Sequence, residues 1–192
     1  MKLLIASNNK HKIDEIKQIL SKNFSEIYSL EELGISCDPE ENGATFSDNA
    51  LIKANEIAKH TDMAVLADDT GLCVDFLGGK PGVFSARYAG NHDHAANRRK
   101  ILQEMANATD RSAHFCTAVA LRYPDGKIVC AEGRVDGRIL TEETGANGFG
   151  YDSIFFSNDL GKSFGEATAE EKNSVSHRGR ALQSLLSKID QK

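Results

Sequence analysis

The sequence predicts an α/β fold with a mixed β-sheet. Short apolar runs typical of strands alternate with segments whose apolar residues recur every three or four positions, the period of an amphipathic helix. Capping-box patterns at Thr45 and Thr168 mark two helix starts between these runs. The turn Pro124-Asp125-Gly126 joins two further runs as a hairpin. Alternating strands and helices predict an α/β domain, and the inserted hairpin makes the sheet mixed.

The first half of the chain is predicted to contain three strands and two helices. The strand-like runs span residues 3–6, 63–67 and 72–76. The first helix follows Ser7-Asn8-Asn9, whose side chains can cap it, and its apolar face has spacings of three and four. The second helix begins after Thr45. The segment 29–43 is acidic and is predicted to be irregular.

The second half is predicted to contain the hairpin, one short strand and three helices. The hairpin strands span 113–123 and 127–135, and the short strand spans 154–156, after a glycine-rich loop. Helices are predicted over 91–108, after Thr168 and after Ser176. The apolar face of the last helix consists of Leu182, Leu185, Leu186 and Ile189.

Composition narrows the possible classes of protein. The 192 residues are 40% hydrophobic and 27% charged, which is typical of a soluble globular protein. We expect one domain over residues 1–192, or two closely packed lobes that share a core. No apolar run is long enough to span a membrane, and a net charge of −5 disfavours nucleic-acid binding. The four cysteines lack metal-site spacing and are expected to be reduced thiols of a cytosolic protein.

The clearest candidate for chemistry is Asp68-Asp69-Thr70-Gly71, directly after an apolar strand. Ligands of open α/β sheets bind beyond the carboxyl ends of the strands, and carboxylate oxygens suit magnesium. Because neighbouring strand residues point in opposite directions, the two carboxylates are expected to differ in role. One would hold metal while the other orients or deprotonates water. The alternative is a solvated turn after the strand.

A second candidate is the segment from Ser7 to Lys12, between a strand and a helix start. Free backbone N–H groups and the helix dipole attract phosphate at such a place, and Lys10 and Lys12 add positive charge. It is not a Walker loop, because that glycine and lysine spacing is absent. The alternative is an ordinary capped helix start with solvated lysines.

Two later segments could bind the rest of a ligand. In Gly148-Phe149-Gly150-Tyr151-Asp152 the glycines allow close backbone approach, Phe149 could stack on a base and Asp152 could accept a ring N–H. The alternative is a tight loop with core aromatics. Lys172, His177 and Arg178 form the other group, with two cations in a helix's first turn, where cations are disfavoured. The alternative is a solvated basic patch.

Taken together, these motifs resemble the inosine triphosphate pyrophosphatase family, the non-canonical purine (dITP/XTP) pyrophosphatases. Seven stretches match in family order over nearly the whole chain. The matching stretches are 7–12, 40–46 with 49–54, 67–72, 78–90, 148–152, 171–173 and 176–182. The resemblance implies an elongated mixed sheet flanked by helices, in two lobes around a nucleotide cleft, and usually a homodimer. It implies hydrolysis of ITP, dITP and XTP to the monophosphate and pyrophosphate with Mg²⁺.

The resemblance also implies residue roles. Glu40 and Asp69 match the magnesium ligands, and Asp69, with Asp68 nearby, matches the catalytic proton acceptor. The implied phosphate-binding segment is Ser7, Asn8, Asn9, Lys10, His11 and Lys12. Lys53 is a further candidate to neutralise the triphosphate. The other implied substrate contacts are Thr70, Phe149, Gly150, Tyr151, Asp152, Lys172, His177 and Arg178.

Selectivity is expected to depend on the purine 6-position. Hypoxanthine and xanthine present a 6-oxo acceptor there, so a donor such as Arg178 or His177 facing it would be left unpaired by adenine. Thr70 keeps the hydroxyl of the serine that is more frequent in the family. Ser153 replaces a usual proline, which predicts a less rigid loop.

Overall fold

The computed structural model describes residues 1–90 and 92–190, with backbone only at residue 190. The strands are β1 Lys2–Ile5, β2 Glu26–Ser29, β3 Ala64–Val74, β4 Ser112–Arg122, β5 Ile128–Ile139, β6 Phe155–Ser157 and β7 Lys162–Ser163. The α-helices are α1 Lys10–Leu20, α2 Phe46–Ile57, α3 His94–Glu104, α4 Ala169–Val175 and α5 His177–Asp190. None of these helices is long and apolar enough to cross a bilayer.

The seven strands form a mixed sheet, as the sequence predicts, in the order β2-β1-β3-β4-β5-β6-β7. Strand β1 pairs in parallel with β2 and with β3, and Ile5 lies opposite Ser29 and Leu66. The other edge is antiparallel, since β6 pairs with β5 and β7 in that sense. Helical crossovers connect the parallel strands β1, β2 and β3, whereas β4 to β5 and β6 to β7 are joined by short turns, as antiparallel pairing allows.

The chain divides into two compact units. Unit 1 comprises Met1–Asp69, Thr117–Gly133 and the chain from Arg178 onward, and unit 2 comprises Thr70–Cys116 and Arg134–His177. The prediction of a single domain over 1–192 includes residues 191 and 192, which lie outside the described residues, and it stays a prediction.

Unit 1 has a helix–sheet–helix core. Residues of β1 alternate between the two faces of the sheet, as strand geometry requires. Leu3 packs in one cluster with apolar residues of α1 and α5, including Ile16 and Leu182. Leu4 packs in the opposite cluster with the alanine-rich face of α2, which includes Ala54. Helices therefore cover both faces of this part of the sheet.

Unit 2 has its own apolar core, formed by the remaining halves of β3, β4 and β5 with α3 and the strands β6 and β7. Phe115, Phe155 and Phe164 lie at its centre, and the Phe115 and Phe155 rings meet edge to face with centroids 4.7 Å apart. Such aromatic contacts contribute about 0.5–1.5 kcal/mol beyond the area that they bury. This core supports the loop and helix that carry the candidate residues of unit 2.

The predicted helix starts are confirmed by their caps. Asn9 accepts from the Lys12 N–H and begins α1, and both capping boxes are present, at Thr45 with Asp48 and at Thr168 with Glu171. Each cap satisfies backbone donors that a helix N-terminus would otherwise leave unpaired.

Four local predictions are corrected. Residues 63–67 and 72–76 were predicted as separate strands, but β3 runs unbroken over Ala64–Val74. Strand β2 lies partly in the segment predicted to be irregular, and β7 was missed because two residues carry no readable period. The helix predicted over 91–108 is shorter, because Asp93 caps α3 at its start. The predicted start at Asn91 lies outside the described residues.

Candidate functional site

The candidate residues of unit 1 lie where the parallel strands end. The Ala6 N–H donates to the Leu66 carbonyl at 2.8 Å, which extends the pairing of β1 and β3 by one residue. Ser7 follows this contact directly after β1, and Asp68 lies two residues beyond Leu66 within β3. Because both strands run in the same direction, the polar segment after β1 and the two aspartates of β3 lie at the same edge of the sheet.

The segment Ser7–Lys12 is a capped helix start. The Ser7 hydroxyl accepts from the Asn9 N–H at 3.2 Å, and the Asn9 side chain accepts from the Lys12 N–H at 3.3 Å. Asn8, Lys10 and His11 are exposed. The alternative of solvated lysines is wrong for Lys12, whose ammonium lies 3.2 Å from the Asp68 carboxylate.

Asp68 is held by a buried cluster of cations. Both Asp68 and Arg178 are 1% exposed. The Arg178 Nη2 and Nε donate to Asp68 Oδ2 at 3.0 and 3.3 Å, and its Nη1 pairs with Glu15. Although burial alone would raise it, the pKa of Asp68 is held well below its usual value by Lys12, Arg178 and Lys53. Asp68 is therefore a fixed, ionised carboxylate.

Asp69 has a different environment, as the strand alternation predicts. It is 5% exposed, its Oδ2 accepts from the Asn49 amide at 2.9 Å, and its Oδ1 lies 4.0 Å from the Lys53 ammonium. Burial raises the pKa of Asp69 despite the nearby charges of Lys53 and Lys12. Two adjacent carboxylates are thus shifted in opposite directions, which marks a division of roles between them. The alternative of a solvated turn is wrong.

The acidic segment before α2 reaches this cluster through Lys53. The Lys53 ammonium donates to Glu41 Oε1 at 2.7 Å while it lies near Asp69. Asn49 also accepts from the Gly43 N–H at 2.8 Å, which fixes the segment against α2. Glu40, the predicted metal ligand, is exposed. Its neighbour Glu41 is the glutamate in contact with the lysine.

The chemistry of these donors fits a magnesium ion. The ammonium of Lys53 is a cation already accommodated between carboxylates from two segments, Glu41 and Asp69. Carboxylates of this kind suit magnesium, which proteins commonly bind with one or two carboxylates plus substrate phosphates. The described side chains, those of residues 1–90 and 92–189, include no group of three or more His, Cys, Asp or Glu that could hold a metal ion.

The glycine-rich loop of unit 2 has a defined shape. Gly148 and Gly150 adopt φ of 73° and 63°, a region that favours glycine. A Cβ at Gly148 would lie 2.2 Å from Asp152 Oδ2. That same oxygen accepts from the Phe149 N–H at 2.8 Å, so the Asp152 side chain closes the loop. Thr70, on β3, is half-buried.

The predicted base-binding residues differ in burial. Phe149 is half-buried, whereas Tyr151 belongs to the core cluster and its hydroxyl donates to the Ser85 carbonyl at 2.8 Å. The alternative of core aromatics is therefore right for Tyr151 alone. Lys172, 4% exposed, pairs with Asp152 at 2.7 Å and lies 4.7 Å from the Phe149 ring centroid.

His177 is also buried, and its ring stacks on Phe115 with centroids 4.6 Å apart. The alternative of a solvated basic patch is wrong for Lys172, His177 and Arg178, because all three are buried. The structure brings Lys172 together with Phe149 and Asp152, and it brings Arg178 together with Asp68 and Lys12.

Two contributing residues, Glu15 and Asn49, were not identified as site residues from the sequence, whereas Glu41 was considered with Glu40 as a source of metal ligands. Asn49 carried a detectable signal, because it is a polar residue on the apolar side of an amphipathic helix. Glu15 carried none, since an ion pair between residues 15 and 178 has no local pattern.

Comparisons with known proteins find relatives over nearly the whole chain. Residues 3–188 match the model of the Ham1 family. A dITP/XTP pyrophosphatase of Leuconostoc mesenteroides is 48% identical, over 98% of this chain and 96% of the relative. One of Clostridium perfringens is 47% identical, over 96% and 95%. The structure of a HAM1 protein from Coxiella burnetii superposes with a TM-score of 0.88 at 36% identity, over all of both chains.

Proposed function

Because this chain belongs to the Ham1 family, we propose that it hydrolyses non-canonical purine nucleoside triphosphates, ITP, dITP and XTP, to the monophosphate and pyrophosphate. The family resemblance predicted from the sequence motifs is confirmed by that match and by relatives named dITP/XTP pyrophosphatases at 47–48% identity. The reaction removes such nucleotides from the nucleotide pool.

The observation that carries the proposal is the contrast between Asp68 and Asp69. Asp68 is ionised and bound by Arg178 and Lys12, so it serves as a fixed anion that orients these cations. Asp69 has a raised pKa, which makes its carboxylate a better proton acceptor than an ordinary aspartate. Asp69 therefore orients and deprotonates the water that attacks the α-phosphorus, and pyrophosphate leaves.

The phosphates are bound by the segment Ser7–Lys12 at the start of α1. A helix N-terminus attracts anions through its N–H groups and its dipole. Lys10 is exposed at that point, and Lys12 lies directly behind it beside Asp68. Lys53 adds a third positive charge from α2. These cations stabilise the negative charge that develops on the phosphate oxygens.

Asp69 and Glu40 would hold Mg²⁺, with Glu41 as the neighbouring alternative. Glu41 is engaged by Lys53, and that ion pair keeps the acidic segment near Asp69. Glu40 is exposed beside it and makes the better ligand, because an ammonium competes for the carboxylate of Glu41. A magnesium ion held there would supply positive charge that favours the transition state of phosphate hydrolysis.

The base is bound by unit 2. Phe149 is the aromatic surface on which a purine stacks, and Asp152 fixes the loop by closing on the Phe149 N–H. Thr70, Gly150, Tyr151 and Lys172 complete this group. The expectation that Arg178 or His177 reads the 6-oxo group stays a prediction. A contact with the purine would compete with the buried contacts that these side chains already make. Arg178 pairs with Asp68 and Glu15, and His177 stacks on Phe115.

The proposal also includes a homodimer in the cytosol, with no nucleic-acid partner. The family resemblance supports the dimer, and sedimentation of the purified chain tests it. The four cysteines, 37, 73, 116 and 130, are half-buried thiols, which supports a reducing compartment. The net charge of −5 disfavours binding to nucleic acid.

The decisive experiment measures pyrophosphate release from ITP, XTP, dTTP, GTP and ATP, with magnesium and with EDTA. We expect fast, magnesium-dependent release from ITP and XTP and little from GTP or ATP. Release confined to dTTP would retain the chemistry and overturn the substrate class. Tight ITP binding without turnover would indicate a nucleotide sensor and contradict the proposed pyrophosphatase activity.

A further inference from the structure

An arginine outside the predicted site contacts the glycine-rich loop. Arg98 lies in α3, and its Nη1 donates to the Gly150 carbonyl at 2.9 Å. Its Nε lies 2.9 Å from Glu143 Oε2, and the same oxygen accepts from the Ser153 hydroxyl at 3.0 Å. We call Arg98, Glu143 and Ser153 the brace. Within the brace, Arg98 contacts the loop 148–152 at Gly150, and Glu143 accepts from Ser153, the residue that follows the loop.

The loop needs an external contact at Gly150. Glycine has wide conformational freedom, and both Gly148 and Gly150 occupy the left-handed region of φ. Two other side chains hold the loop: Tyr151 donates to the Ser85 carbonyl, and Asp152 accepts from the Phe149 N–H and pairs with Lys172. Arg98 adds a contact at the carbonyl of Gly150, between these two anchoring points.

The contact is shielded enough to be effective. The Arg98 side chain is 19% exposed, and hydrogen bonds from a charged donor are about twice as strong as neutral ones. Glu143 forms an ion pair with the guanidinium, and the same carboxylate oxygen accepts from the Ser153 hydroxyl, which restrains the carboxylate. A planar guanidinium can make both contacts at once, which the single ammonium of lysine cannot do.

We propose that Arg98, supported by Glu143 and Ser153, is a positioning residue that sets affinity for the purine base by holding the loop 148–152 in its binding conformation. This inference rests on the proposed function, because it assumes that the loop receives the base. Arg98 acts through the loop, which lies in the same unit.

The test compares Arg98→Ala with Arg99→Ala. Arg99 is the exposed neighbour on the same helix, so the matched variant removes the same charge without removing a brace contact. For Arg98→Ala we expect KM for ITP to rise about tenfold, equivalent to about 1.4 kcal/mol, with kcat within about twofold. The inhibition constant of inorganic tripolyphosphate, which has no base, should not change. Arg99→Ala should leave all three constants unchanged.

Two outcomes would overturn the inference. One is an ITP KM for Arg98→Ala that equals that of Arg99→Ala. The other is a parallel loss of ITP and tripolyphosphate affinity with a lowered melting temperature, which would indicate a general structural role. Glu143→Ala provides a second variant at a more exposed position. This variant should also raise KM for ITP. The double variant, Arg98→Ala with Glu143→Ala, should have a KM no higher than that of Arg98→Ala alone, because the effects of coupled residues are non-additive. Additive losses would contradict the brace.

Failure of the proposed function would be recognised separately. If the wild-type chain turned over no purine triphosphate, the substrate assignment would fail before any variant was compared. Hydrogen exchange at the amides of Phe149 and Gly150 tests the brace without substrate. Exchange should be faster in Arg98→Ala than in Arg99→Ala, and equal rates would refute a positioning role.

Discussion

Replacement of Arg178 by methionine separates a structural role in a buried ion pair from a role in recognising the purine 6-oxo group. The guanidinium is 1% exposed and contacts Asp68 and Glu15, so its removal leaves a buried carboxylate with Lys12 as a remaining cation. Breaking a buried ion pair from one side costs about 3–5 kcal/mol. For a chain of this size, each kcal/mol lowers the melting temperature by about 2–4 °C. We therefore expect Arg178→Met to melt about 6–20 °C below the wild type.

The assay is thermal unfolding by circular dichroism, together with the ratio of kcat/KM for ITP and ATP. The matched control is Arg178→Met combined with Asp68→Asn, which removes both charges of the pair. Its melting temperature should lie above that expected from the two single losses, because no ionised partner is left unpaired. The preference for ITP over ATP should be nearly unchanged in Arg178→Met, which would leave His177 as the predicted donor to the 6-oxo group.

A lost preference for ITP or an unchanged melting temperature would refute this reasoning. If Arg178 donates to the purine 6-oxo group, Arg178→Met will lose much of the preference for ITP over ATP, because unpaired polar groups discriminate strongly. A melting temperature within about 2 °C of the wild type would contradict a structural ion pair with Asp68.

The remaining predictions concern acidic residues. Asp69→Asn should lower kcat by at least about 10²-fold in steady-state assays, and a folded variant with wild-type kcat would exclude Asp69 as the base. Glu40→Gln should raise the magnesium concentration for half-maximal rate about tenfold or more, and a larger effect of Glu41→Gln would assign the ligand to Glu41 instead. Lys17, with Ser29, holds the pKa of Glu32 at about 2, against an ordinary 4.5. A lowered folded-state pKa gives stability that is present above pH 4.5 and lost as pH falls towards 2. Glu32→Gln should remove that dependence from acid titrations of the unfolding free energy, and an unchanged slope would contradict it.

Local sequence patterns were sufficient for most helices and for the hairpin. The caps at Asn9, Thr45 and Thr168 involve residues three positions apart, so their signals are contained in a few letters. Strand β3 illustrates the limit. Asp68-Asp69-Thr70-Gly71 has the composition of a turn, yet it continues a strand because its neighbours and its buried ion pairs favour the extended form.

The sequence predicted which residues belong to the site more completely than it predicted which residues contact one another. The motifs indicated Lys12, Asp68 and Arg178 as polar residues near a ligand, and the structure adds that they bind one another. Lys172 and Asp152 behave in the same way in unit 2. Lone residues at motif positions carry no information on whether they face a ligand or each other.

The sequence by itself determined most of the helices, the hairpin, the α/β class and the family, because these are expressed in short-range periodicity and in motifs. Tertiary structure alone decided that Asp68 is ionised while the pKa of Asp69 is raised. It also decided that Arg98 holds Gly150. The reason is physical: burial and charge proximity depend on residues far apart along the chain, as with Asp68 and Arg178, 110 positions apart.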